Sequence, residues 1–180
     1  MTQTQADDVT SLTAPDQVRT RTYSWADPAA TFAALAGRSG LDLLSAMGRG
    51  ELPPPPVMAT LRIEAVGFSE GHASFALDPL ELHYNPLGTV HGGVLATLLD
   101  SATGCAVHSV LAEGTGYTTL DLNARYLRPV TAGTGRLVVT GTVLSRGSRT
   151  ALAEARLTDS RDRLVAHATS TCLIFPLPPQ

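Results

Sequence analysis

Residues 94–111 read Val-Leu-Ala-Thr-Leu-Leu-Asp-Ser-Ala-Thr-Gly-Cys-Ala-Val-His-Ser-Val-Leu, a stretch apolar almost all the way round a helical period. A helix of that kind has no face to turn to water, so other elements must enclose it. The flanking segments have period two rather than the helical period. Leu61, Ile63 and Ala65 alternate with Arg62 and Glu64, which predicts a strand from Met58. A turn over 67–71 and a second strand over 72–77 follow. Gly114 and Gly116 end the helix, and 118–127, 135–144, 149–158 and 164–175 read as four more strands. In the first of these, Leu120, Leu122, Ala124 and Tyr126 alternate with Thr119, Asp121, Asn123 and Arg125. Residues 146–149 and 159–162 are turn-like and predict two hairpins. The order β-β-α-β-β-β-β is that of an α+β fold, an antiparallel sheet around one helix, and not of a doubly wound sheet. One helix covers only part of six strands, so a second subunit is expected over the rest.

Residues 1–26 have no periodic apolar face and predict a flexible arm. Asp27-Pro28 opens a helical pattern towards Gly37, with an N-cap followed by proline. Leu41, Leu43, Leu44 and Met47 predict a second helix over 40–47. Pro53 to Pro56 form a stiff linker. The division is then an arm (1–26), a helical segment with its linker (27–57), a main domain (58–175) and a short tail (176–180).

Charge excludes one class of partner. The 13 basic residues, all Arg, against 16 acidic residues leave a formal net charge of −3, with no excess to neutralise a phosphate backbone. Nucleic acid is not an expected partner. No apolar run is long enough for a membrane span, and the polar start lacks the basic and apolar parts of a secretory signal. A cytoplasmic protein is expected. Cys105 and Cys172 lie apart in apolar runs, without CxxC or Cys/His clustering, so a metal site is not expected and two free buried thiols are.

The chemistry concentrates at the start and middle of the enclosed helix. His91-Gly92-Gly93 enters it, and glycines there let a ligand approach the backbone. The first N–H groups of a helix lack internal acceptors and sit at the positive end of its dipole, which suits an oxyanion. Tight helix–sheet packing would equally use such glycines. Asp100 stands in the middle of the apolar run, where an unpaired carboxylate is costly. Two roles are open to it: a structural bond to a hydroxyl such as Thr97 or Ser101, or a general base or nucleophile in a dry cleft. Gly92 and Asp100 lie about 12 Å apart along one helix. If both act on one carbonyl, they must come from different subunits. His91 could polarise a carbonyl or simply hold the loop. Met47 and Met58 read as packing residues.

The constellation Asn85…Gly88…His91-Gly92-Gly93…Asp100 resembles the signature of the PaaI-like acyl-CoA thioesterases of the hotdog superfamily. The likeness continues through 118–129, which ends Leu127-Arg128-Pro129, and through Arg146-Gly147-Ser148-Arg149 to Phe175. It covers about residues 58–175. It implies a curved sheet wrapped around the helix, with subunits joined edge to edge as a homodimer and often a homotetramer. Carried over residue by residue, the Gly92 N–H would bind the thioester carbonyl and Asp100 of a second subunit would activate water or attack directly. Asn85 and His91 would help hold the reacting groups, and the Thr119 hydroxyl would position the nucleophile. Gly93, Tyr126, Arg128, Arg146, Gly147, Ser148 and Arg149 would hold coenzyme A, arginine suiting its phosphates by bidentate geometry. No cofactor is implied. Aspartate rather than glutamate at position 100 leaves open an anhydride or direct hydrolysis. A hotdog dehydratase or hydratase, and a module that binds acyl-CoA without turnover, are the competing readings.

Overall fold

The structure, a computed structural model, describes residues 18–177. Most of the expected arm therefore lies outside the described residues. Residues 18–26 run without helix or strand. The Arg21 guanidinium donates to the carbonyls of Thr60 (2.9 Å) and Ala59 (2.6 Å) and lies over the Tyr23 ring.

Helix α1 (Ala29–Ala34) begins where the Ala29 N–H donates to Asp27 Oδ1 at 2.9 Å, and a 3-10 turn over Leu35–Gly37 ends it. Helix α2 (Gly40–Gly48) is capped by Ser39, whose hydroxyl oxygen accepts the Asp42 N–H. Its Leu43, Leu44 and Ala46 are buried. Gly40 allows the docking of this segment: a Cβ there would sit 1.8 Å from the His108 carbonyl oxygen. The Gly40 N–H donates to Leu111 O at 3.0 Å, tying α2 to the far end of the enclosed helix.

One expectation fails next. Residues 58–61 are not strand but part of α3 (Pro56–Leu61). Proline at its first turn is pre-set for helix, and Arg62 at φ 58° ends it. Alternation over so few residues does not distinguish a helix end from a strand start. Strand β1 (Glu64–Ser69) follows, then β2 (His72–Leu77), α4 (Gly92–Ser109), β3 (Thr115–Tyr126), β4 (Leu137–Arg146), β5 (Thr150–Thr158) and β6 (Leu164–Pro176).

The six strands form one antiparallel sheet in the order β1-β2-β4-β5-β6-β3, curved around α4. Leu98 and Leu99 of α4 are wholly buried against Leu77, Leu137, Val139 and Leu157. Each such leucine contributes about 1.5–3 kcal/mol by leaving water. On β5 and β6 the inward residues are mostly small: Ala153, Ala155, Ala166 and Ala168. They let the helix backbone come close. Gly141 of β4 is one point of close approach: a Cβ there would meet the Ala102 carbonyl oxygen at 2.1 Å.

Strand β3 is one of the sheet's two edges, paired among the described residues only with β6. Strict alternation along it would put Thr119 opposite Leu122 and Ala124, away from the helix. The register with β6 shifts between Thr119 and Asp121, leaving Leu120 as an inserted residue. This β-bulge reverses the facing of the strand. Tyr117 and Thr119 before it, and Leu122 and Ala124 after it, all turn towards α4. Leu120 is turned outward and is 57% exposed.

Candidate active site

The loop into α4 is built by two side chains. His83 is buried; its Nδ1 accepts the Leu80 N–H at 3.1 Å and its Nε2 lies 3.0 Å from Leu61 O, so Nε2 carries the proton. Burial holds its pKa below the usual imidazole range. The His91 N–H donates to His83 O at 2.8 Å, fixing where the helix starts. Asn85 then shapes the turn. Its Oδ1 accepts the N–H groups of Leu87 (2.9 Å) and Thr89 (3.3 Å), and its Nδ2 donates to Thr89 Oγ1. Gly88 at φ 77° supplies the left-handed residue this turn needs.

His91 is the N-cap of α4. Its Nδ1 accepts the Gly93 N–H at 2.9 Å. Among the described residues, the Gly92 N–H is left without an acceptor at the head of the helix. The two glycines are therefore not equivalent: Gly93 is used by the cap, and Gly92 carries the available donor. The Tyr126 hydroxyl donates to Gly92 O at 3.1 Å, and its ring would lie 3.5 Å from a Cβ at Gly92. Thr89, Gly92, Leu95, Tyr126, Arg128 and Pro129 surround a cleft of about 290 Å³ here.

Eight residues along α4, Asp100 is half-buried and faces β3. Thr119 Oγ1 donates to Asp100 Oδ1 at 2.9 Å. Neither Thr97 nor Ser101 fills that role; the Thr97 hydroxyl donates to Gly93 O instead. The bulge at Leu120 is what brings the Thr119 hydroxyl to the carboxylate. Asp100 and Thr119 open on a second cleft of about 220 Å³. Its walls are mostly apolar and come from distant parts of the chain: Leu44 and Met47 of α2, Pro54 and Pro55, Phe68 of β1, and Tyr117 of β3.

Met58 packs against the core as its apolar character predicts, and both Met47 and Met58 also line this cleft. Tyr117 and Cys105 were not singled out as site residues, although both line it too. No local motif marks them; their shared position along the α4–β3 seam does. Burial pushes the Cys105 thiol up to about 12, so it is not a nucleophile at neutral pH. Cys105 is half-buried and Cys172 buried, and both are free.

Within one chain the proposed site residues fall into three groups. Gly92, Tyr126 and Arg128 share the cleft at the helix start, with His91, Gly93 and Asn85 shaping the backbone behind it. Asp100 and Thr119 share the second cleft. Arg146, Gly147, Ser148 and Arg149 form the exposed β4–β5 turn, closed by Gly147 N–H to Thr150 O at 2.8 Å, and border neither cleft. Among the described residues there is no cluster of His, Cys, Asp or Glu able to hold a metal ion, and no helix long and apolar enough to cross a membrane.

Residues 87–166 match the family described as the thioesterase superfamily. Acyl-coenzyme A thioesterase 13 of Mus musculus is 35% identical over 92 residues, 51% of this chain and 64% of that protein. The Homo sapiens protein of the same name is 30% identical over 111 residues, 61% and 78% of the two chains. The chain spans less than two thirds of the mouse relative, and 56% of a Halobacterium salinarum protein named as an esterase. Among solved structures, a phenylacetic acid degradation-related protein of Ralstonia eutropha JMP134 is 33% identical with a TM-score of 0.66, covering 72% of this chain and 98% of that one. The protein smu.793 of Streptococcus mutans UA159, solved bound to acetyl CoA, is 25% identical with a TM-score of 0.59, over 65% and 91% of the chains. With its sheet wrapped around one long helix and its His-Gly-Gly entry, the chain belongs to the hotdog-fold thioesterase superfamily.

Proposed function

We propose that this protein hydrolyses acyl-CoA thioesters to the free acid and coenzyme A. The observation that carries the reading is the Asp100–Thr119 pair at 2.9 Å, set at a mostly apolar cleft able to take an acyl group. The Thr119 hydroxyl occupies Oδ1 and leaves Oδ2 to take a proton from water. The water oxygen attacks the carbonyl carbon, the C–S bond breaks, and the thiolate leaves as coenzyme A with the proton returned to sulfur. The developing oxyanion needs a preorganised donor, and the Gly92 N–H at the positive end of α4 is suited to it.

Gly92 and Asp100 are about 12 Å apart along α4, and they border different clefts. A complete site therefore takes Gly92 from one copy and Asp100 from another. Strand β3 supports that pairing, because among the described residues one side of its twelve residues has no neighbouring strand. Arg128 lines the Gly92 cleft, and its forked guanidinium suits a phosphate of coenzyme A. The exposed Arg146 and Arg149 would reach coenzyme A only across a subunit boundary. The names of the mammalian relatives and the acetyl CoA bound to smu.793 support the substrate class.

Thiol release from a panel of acyl-CoAs tests the activity. Asp100→Asn keeps size but removes the base, and kcat should fall by about 10²-fold or more with the fold intact. Full turnover by the folded Asp100→Asn protein would refute the role. Single-turnover hydrolysis in ¹⁸O-water should label the acid and not the Asp100 carboxylate.

A further inference from the structure

The cleft next to Asp100 shares one side chain, Tyr117, with a neighbouring cavity. Beyond that side chain lies a second cavity of about 380 Å³, lined by Phe32, Leu35, His108, Phe175 and Leu177 together with Tyr117. Tyr117 is the one residue that lines both cavities. It stands two residues before Thr119 on the same face of β3, about 7 Å farther along the strand from the carboxylate.

The ring is held as a fixed wall. Gly104 of α4 makes room for it: a Cβ there would come within 2.9 Å of the Tyr117 Cε2 and hydroxyl. The His108 ring lies beside that of Tyr117, with centroids 5.3 Å apart.

We infer that Tyr117 is the chain-length stop of the acyl site, closing a proximal compartment beside Asp100 from a distal one under α1. This rests on the acyl-CoA reading given above. A cavity of about 150 Å³ takes one benzene, so the proximal 220 Å³ takes roughly nine carbons. The substrate class is then medium-chain or short aryl-acyl thioesters. Removing the ring would join the two cavities and more than double the space.

The test is hydrolysis of straight-chain acyl-CoAs from butanoyl to palmitoyl by the wild type, Tyr117→Ala, Tyr117→Leu and Tyr117→Phe. The wild type should be best near octanoyl and decanoyl and decline to palmitoyl. Tyr117→Ala should reverse that preference, with palmitoyl-CoA gaining on the order of tenfold or more in kcat/KM relative to octanoyl-CoA, since each newly buried methylene is worth about fourfold. Tyr117→Leu fills more of the space, secures the test if the alanine variant does not fold, and should move the preference in the same direction. Tyr117→Phe keeps the ring and should keep the limit. Alanine and leucine variants that hydrolyse octanoyl-CoA with an unchanged chain-length profile would overturn the inference and leave the thioesterase reading standing. A wild type equally active on palmitoyl-CoA would overturn it too. A wild type that hydrolyses no acyl-CoA would remove the reading on which it rests.

Discussion

Gly141→Ala tests the placement of the central helix. The added methyl would meet Ala102 O at 2.1 Å, Ala102 C at 2.4 Å and Thr103 N at 2.9 Å. These are backbone atoms in the middle of an eighteen-residue helix, so no side-chain rotation relieves the collision. To reach an ordinary contact of about 3.5 Å, helix and strand must separate locally by about 1 Å or more. Overpacking of this kind costs about 1–3 kcal/mol, and a backbone collision belongs at the upper end. For a chain of this size the melting temperature should then fall by roughly 6–12 °C. Ala102 lies two residues from Asp100, so the same shift should disturb the proposed catalytic geometry. A displacement of about 1 Å can cost on the order of 10²-fold in rate. Thermal unfolding followed by circular dichroism, with octanoyl-CoA hydrolysis at a temperature where both proteins are folded, reads both effects. Gly67→Ala is the control: its Cβ would meet nothing within 4 Å, and its stability should change by no more than about 0.5 kcal/mol. A Gly141→Ala protein that melts within about 1 °C of the wild type would show that the helix does not rest on β4 as described.

Thr119→Val removes the donor to Asp100 while nearly keeping volume, and kcat should fall by about ten- to a hundredfold, the worth of a hydrogen bond to a charged group. Thr119→Ser should retain most of the rate, and equal losses in both variants would count against the hydroxyl. Stability should fall as the pH drops below the usual histidine value of 6.5, because burial lowers the pKa of His83 and His108 and the unfolded chain binds the protons more readily. A second loss should come as the pH falls from the usual 3.8 towards about 2. Arg163 and the backbone N–H groups of Arg161 and Arg163 hold Asp159 ionised in the fold down to about 2. Urea midpoints measured across this range check both steps, and a midpoint that rises on acidification would contradict them.

Several elements were legible because their causes are local. An apolar run with no wet face can only be an enclosed helix, and α4 (Gly92–Ser109) is one. The spacing of Leu41, Leu43, Leu44 and Met47 announces α2, and the His91-Gly92-Gly93 entry marks where α4 starts. The strand expected from Met58 failed because three alternating positions are too few to outweigh a proline-started turn of helix. The placement of Thr119 depended on something no alternation shows. The inserted Leu120 is defined by pairing with β6, some fifty residues farther on, and that pairing alone turns the hydroxyl towards Asp100.

Composition and spacing within a few residues were enough to mark the enclosed helix, the strands that surround it, the glycines at its start and the carboxylate in its middle. The order of the strands, the bulge that aims Thr119, and the cleft in which Leu44, Phe68, Asp100 and Tyr117 meet came only with the folded chain. Those depend on contacts between residues tens of positions apart, and such contacts exist only once the chain has closed on its core.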